Sequence, residues 1–222
     1  MHINGKTIDL KGVLFDLDGT LIDSKLDIAD AANAARARFG LEPYPVDQVL
    51  PYIGFGIRHL IAGVLETRDE TRVDEGLKAA LAHYDLHLGE KTVLFEGARE
   101  LLRDLNRRRI ACGVVSNKPH ALTVRTLEIL KIGDLFQAAF GEGNGMRKKP
   151  DPEAVVEALR IMNVKAGDCV FVGDSSVDVE TARNAGMPCV FVAHGFGDLE
   201  AAEEAGPDLT VRSLTELATL LK

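Results

Sequence analysis

The stretch Val13-Leu14-Phe15-Asp16-Leu17-Asp18-Gly19-Thr20-Leu21 carries an apolar, β-forming run straight into two acids, a glycine and a hydroxyl. The apolar run is too short for an amphipathic helix and reads as a strand buried on both faces. In an open α/β sheet, ligands bind where such strands end. One acid there is ordinary. Two at alternate positions followed by Gly point to a site, although Asp and Gly also favour turns.

Three more runs of the same kind lie further along, at Ile110 to Val115, Cys169 to Val172 and Cys189 to Val192. Helical spacing fills the gaps: Ala98, Leu101, Leu102 and Leu105; then Val155, Leu159 and Met162; finally Leu214, Leu217, Ala218 and Leu221. Pro152 is placed to start the second of these helices, and Ser213 with Glu216 has the spacing of a capping box for the last. The alternation predicts an α/β fold, a Rossmann-like parallel sheet core with helices on both faces. Residues 24–92 break the rhythm, because Leu26 to Phe39, Ile57 to Glu66 and Glu70 to Leu88 all read as helices with no strand between. We therefore expect a core of 1–23 and 93–222 and an inserted α-helical cap subdomain of 24–92. Asn4-Gly5, between short apolar residues, suggests a small hairpin turn.

Composition narrows the classes. At 222 residues with 46% hydrophobic and 27% charged residues, the chain can build a full core, which excludes disorder, collagen and coiled coil. Asp and Glu total 34 against 26 Lys and Arg, a formal charge of −8, so nucleic acid and anionic membrane surfaces are not expected partners. No stretch has the length and apolarity of a membrane span, and MHINGKTIDLKG lacks the apolar centre of a signal peptide. A cytoplasmic location is the expectation. Cys112, Cys169 and Cys189 are odd in number and sit in β-like runs, which reads as reduced, buried strand residues.

A second acidic pair follows the third strand, in Val172-Gly173-Asp174-Ser175-Ser176-Val177-Asp178. Either serine can cap the next helix, and Asp178 in its first turn also suits the helix dipole. If both pairs converge, four carboxylates share one edge, and unit charges about 4 Å apart repel by roughly 4 kcal/mol at an effective dielectric near 20. Such a cluster calls for a hard, oxygen-loving cation such as Mg²⁺. Ser116-Asn117 adds a hydroxyl and an amide at another strand end, and Lys149-Pro150 adds an ammonium, while Arg147 and Lys148 read as a solvated loop. A ligand that suits a cation, a lysine and a hydroxyl together is a phosphate.

The ordered set DLDGT at 16–20, Ser116-Asn117, Lys149-Pro150 and GDSSVD at 173–178 resembles the four signature motifs of the haloacid-dehalogenase superfamily of phosphotransferases. The helical insertion resembles that superfamily's small α-helical cap, and Gly54-Phe55-Gly56 with Lys149-Pro150-Asp151-Pro152 is similar to its phosphoglycolate-phosphatase-like branch. The resemblance implies a Mg²⁺-dependent phosphatase of small phosphorylated metabolites, most plausibly 2-phosphoglycolate. By that likeness Asp16 is the nucleophile, Asp18 the general acid and base, and Lys149 a catalytic cation. Asp16, the Asp18 carbonyl and Asp174 would bind Mg²⁺ with Asp178 in support, and Ser116 would bind the phosphoryl group. Thr20, Asn117 and Gly19 would orient the site, and Arg58, with His59 beside it, would meet the substrate from the cap. A sugar phosphomutase, a pyrophosphatase and a receiver-type phospho-Asp switch are the alternatives; the switch has no leaving group for Asp18 to protonate. A homodimer contact through the exposed cap helices is left open.

Overall fold

The computed structural model describes residues 1–3 and 6–221. The Asn4-Gly5 turn lies outside the described residues, and its flanks β1 (His2–Ile3) and β2 (Lys6–Thr7) pair antiparallel. The central strand β3 (Gly12–Phe15) and a short β4 (Ile22–Asp23) precede four helices, α1 (Lys25–Arg38), α2 (Val46–Val49), α3 (Ile57–Val64) and α4 (Glu70–His87). A return strand β5 (Val93–Leu94) leads to α5 (Ala98–Arg107), β6 (Ala111–Pro119), α6 (His120–Ile129) and β7 (Ala138–Glu142). The chain ends with α7 (Glu153–Met162), β8 (Cys169–Gly173), α8 (Ser176–Asn184), β9 (Cys189–Val192), α9 (Leu199–Ala205), β10 (Leu209–Val211) and α10 (Leu214–Leu220).

Six strands form one sheet in the order β10-β9-β8-β3-β6-β7, parallel throughout. The side chains sort by the two-residue period of a strand. Val13, Phe15, Cys112, Val114, Val170, Val172, Val190 and Val192 face a layer made by α5 and α10, through Leu101, Leu102, Leu105, Leu214 and Leu217. Leu14, Val115, Cys169, Phe171 and Cys189 face the other layer, where Val155, Ala158 and Leu159 of α7 meet Val179 and Ala182 of α8. The three cysteines are free and buried in these strands, as their context suggests.

The four strands legible in the sequence are the buried interior ones. The two it did not show, β7 and β10, are the sheet's edges, where half-exposed residues weaken the apolar signal. β6 also runs further than expected, so Ser116 and Asn117 lie within it rather than past its end. α7 follows Pro152 directly, and Ser213 Oγ accepts from Glu216 N at the start of α10.

The helical insertion has its own apolar cluster, in which Ala29, Ala32 and Ala35 of α1 let α4 come close, with Ile61 and Val64 of α3 alongside. Small residues permit that approach, and Gly76 of α4 completes it: a Cβ there would lie 2.7 Å from Leu65 Cδ1. Its two crossings to the core are tied together. β4 pairs antiparallel with β5, and the buried carboxylate of Asp27 accepts from Gly89 N (3.1 Å), Lys91 N (3.0 Å) and Thr92 Oγ1 (2.5 Å).

Removing that acceptor leaves buried donors unpaired. Asp27→Ala should lower unfolding stability by about 2–3 kcal/mol, with Asp27→Asn milder because one acceptor oxygen remains. Urea titration checks this, and an unmoved midpoint for the alanine variant would mean that Asp27 does not tie the crossings.

Candidate active site

The carboxyl ends of β3, β6 and β8 lie side by side at the centre of the sheet, and each delivers a polar side chain to one place. Asp16 leaves the end of β3, Asp174 follows β8, and Asp178 lies in the first turn of α8; one carboxylate oxygen from each falls within 4.8 Å of the others. Lys149 reaches in from the loop before α7, with Nζ 2.7 Å from Asp16 Oδ1 and 2.6 Å from Asp178 Oδ1. All four side chains are buried. Two carboxylates therefore share one ammonium, with a third acid beside them.

Each acid has its own fixed partners. Asp174 accepts from Thr20 Oγ1 (2.8 Å), Phe196 N (2.8 Å) and Gly197 N (3.2 Å). Asp178 accepts through Oδ2 from the backbone N (3.0 Å) and Oγ (2.6 Å) of Ser175, the N-cap of α8. The helix-start role and the site role thus belong to one side chain, with one oxygen for each. Burial first, then the neighbouring carboxylates of Asp16 and Asp178, push Asp174 up to about 8. Burial likewise raises Asp16 to about 6, against the pull of Lys149. For Lys149 burial works downward, yet Asp16 and Asp178 hold the ammonium above its ordinary range.

Space is as tight as charge. Gly19 has φ +91°, and a Cβ there would fall 2.2 Å from Asp174 Oδ2. Thr20 and Gly19, expected to orient the site, both act on Asp174. Asn117 acts on Lys149, receiving its backbone N–H at Oδ1 (2.8 Å) and donating from Nδ2 to its carbonyl (3.1 Å). The same Nδ2 donates to the carbonyl of Gly54 in the helical insertion (2.9 Å), and Lys148 Nζ donates to Phe55 O beside it (2.9 Å). Lys148 is thus turned toward the helical insertion.

Asp18 is brought to the same edge, but its carboxylate faces elsewhere. It accepts from Ser24 Oγ (2.6 Å) and from Lys118 Nζ (3.0 and 3.3 Å). Lys118 is a site residue that the sequence reading missed; it is buried, and Nζ also donates to Tyr84 OH of α4 (3.0 Å). The sequence carried no signal for it, because the strand was expected to end at Val115 and Lys118 lies beyond that point. The N–H groups of Phe196 and Gly197 had no signal either.

Arg58 does not reach this cluster. Its guanidinium is on the outer surface of the helical insertion, pairing with Asp74 (2.6 Å) and Glu70, and it is absent from the cleft's lining. Two acids from the first turns of α4 capture it, so the expectation of a substrate contact is corrected. His59 is exposed and packs on Phe55, with ring centroids 4.9 Å apart.

A cleft opens between Asp16, Asp18 and Ser116 at the sheet edge and a largely apolar wall of the helical insertion. The molecule is thus a parallel α/β protein with an acid and lysine cluster at its carboxyl edge and a helical insertion beside it, a setting suited to phosphoryl transfer. A family model described as haloacid dehalogenase-like hydrolase matches residues 13–192. The chain belongs to that family. The plasmid phosphoglycolate phosphatase of Cupriavidus necator is 37% identical over 214 residues, covering 94% of this chain and 92% of its own. The phosphoglycolate phosphatase of Chromobacterium violaceum is 33% identical over 218 residues, covering 96% and 97%. The crystal structure of a predicted phosphoglycolate phosphatase from Haemophilus somnus superposes with a TM-score of 0.90 at 23% identity, covering 98% of this chain and all of that one, and so shares the fold. No helix among the described residues is long and apolar enough to cross a membrane.

The donor set fits a hard divalent cation: three carboxylates, nearly all oxygen, more negative charge than Lys149 can balance. Because Asp174 holds a proton up to about pH 8, a cation must displace it, and binding should tighten from pH 6 to pH 8 with proton release. For the fold alone the sign is opposite. A carboxylate raised in the folded state stabilises below the unfolded value of about 4, and that contribution is lost as pH rises to about 8. The melting-temperature gap between samples in MgCl₂ and in EDTA should therefore widen from pH 6 to pH 8. A gap that stays flat or narrows would count against a cation among these acids.

Proposed function

We propose that the protein is a Mg²⁺-dependent phosphatase that hydrolyses a small-metabolite phosphomonoester, foremost 2-phosphoglycolate, through an aspartyl-phosphate on Asp16. In this reading residues 24–92 act as a cap over a core of 1–23 and 93–222. The observation that carries it is the buried Lys149 ammonium held 2.7 Å from Asp16 and 2.6 Å from Asp178, beside Asp174. Phosphoryl transfer needs positioning and charge stabilisation more than covalent machinery, and this cluster supplies both. The phosphoglycolate phosphatases that match nearly the whole chain support the substrate class.

Lys149 occupies Asp16 Oδ1, which leaves Oδ2 for attack on phosphorus. As the Asp16–phosphorus bond forms, the ester bond breaks, and Asp18 gives the departing alkoxide its proton. Asp18 then takes a proton from the water that releases inorganic phosphate. Ser116, buried at the cleft, donates to a phosphoryl oxygen, and Lys149 offsets charge on the transferring group. Asp16, Asp174 and the Asp18 carbonyl would hold Mg²⁺, with Asp178 in support, and the ion would supply positive charge against the phosphoryl oxygens. The cap's apolar wall excludes bulk water from the reacting atoms.

Asp16→Asn should retain a cooperative fold and less than about 1% of the turnover, since loss of a nucleophile costs orders of magnitude. Phosphate release from 2-phosphoglycolate, with EDTA as a second arm, checks the reading. Undiminished release in EDTA removes the metal, substantial release by the variant removes the covalent route, and isomerised sugar phosphate without free phosphate would make the enzyme a mutase.

A further inference from the structure

The cap wall of the cleft carries no charge. It is formed by Ile28, Tyr52, Ile53, Ile57, Leu60 and Tyr84, with backbone from Gly54 and Gly56. Among the described residues that line the cleft, Lys118 is the only basic one. A leaving group that bears an anion would find no counter-charge in the cap, so its counter-charge has to come from the core.

We propose that Lys118, with the hydroxyl of Tyr84, is the specificity site for an anionic leaving group, gripping a carboxylate of the substrate as the phosphoryl group sits on Asp16. The proposal rests on the phosphatase reading and deepens it. β6 is irregular between Val115 and Pro119, and both Ser116 and Lys118 line the cleft there, with Lys118 N donating to Ser116 Oγ (3.3 Å), so a phosphoryl group at one lies close to a carboxylate at the other. Hydrogen-bond accounting leaves donors for the ligand. The ammonium has three N–H groups, of which Asp18 takes one, shared between its two oxygens, and Tyr84 OH takes another. Tyr84 accepts from Lys118, so its own O–H proton can be donated. An ammonium N–H and a phenol O–H thus remain for a ligand in the cleft that Lys118, Tyr84 and Asp18 line together.

A buried ammonium at this point has a second effect. Because it touches both Asp18 and a cap residue, an anion bound between Lys118 and Tyr84 joins cap to core at the side chain that handles the proton. A substrate lacking the anion would forgo that bridge, whereas a purely structural lysine would affect every monoester alike.

The test compares two substrates that differ only in that anion, 2-phosphoglycolate and 2-hydroxyethyl phosphate, by the ratio of their kcat/KM values. Lys118→Met disturbs Asp18 and should slow both, yet the preference for 2-phosphoglycolate should fall by roughly 30–100-fold. Tyr84→Phe keeps the ring that packs in the cap, and the same preference should fall by roughly 3–10-fold, mainly through KM. If Lys118→Met does not fold, Tyr84→Phe carries the test alone. A preference unchanged in the folded variants, with both substrates slowed equally, overturns the proposal and leaves Lys118 as a positioning residue for Asp18. A wild-type enzyme that hydrolyses both monoesters without preference also overturns it while the phosphatase reading stands. Release of phosphate from neither would instead sink the phosphatase reading.

Discussion

Carboxylates crowded away from water repel one another, and much of this structure consists of what holds Asp16, Asp174 and Asp178 together in spite of that. Lys149 binds two of them directly, and the third is gripped by Thr20 and by the N–H groups of Phe196 and Gly197. These donors are held by the fold itself. Thr20 is fully buried, the two N–H groups are backbone, and Lys149 is itself fixed through its peptide groups by Asn117. In a low-dielectric setting every such bond strengthens, and every missing one would be correspondingly costly.

β6 shows how one strand divides the work. Ser116, Asn117 and Lys118 all line the cleft, and Asn117 also holds the backbone of Lys149 and the carbonyl of Gly54 in the helical insertion. A substitution at 117 would therefore move Lys149 and that loop as well as what the cleft contacts. The strand's two-residue period holds up to Val115 and gives way beyond it.

That period also explains what could be read beforehand. The four interior strands announced themselves through Val, Phe and Cys runs because both their faces are covered, and the acids at their ends followed from the same logic. The edge strands Ala138–Glu142 and Leu209–Val211 face solvent in part and have no such run. Lys118 looked like an ordinary charged residue, and only its place in a strand longer than expected makes it a buried one. Arg58 failed for the opposite reason: proximity to Gly54 and Gly56 suggested the cleft, but α3 turns it toward Glu70 and Asp74, an encounter between helices that no local spacing encodes.

Glycine marks where close approach, not flexibility, is required. A Cβ on Gly195 would fall 2.2 Å from Asp174 Cβ, and one on Gly197 would fall 2.0 Å from the Asp174 carbonyl oxygen. The loop after β9 can press its N–H groups onto Asp174 only because these positions lack side chains. Held this way, Asp174 cannot swing out to water when it ionises, so the repulsion from Asp16 and Asp178 stays in the cluster. A hard cation bound there would relieve that repulsion. The crowding that weighs on the fold and the affinity such an ion would have are the same free energy, taken with opposite sign.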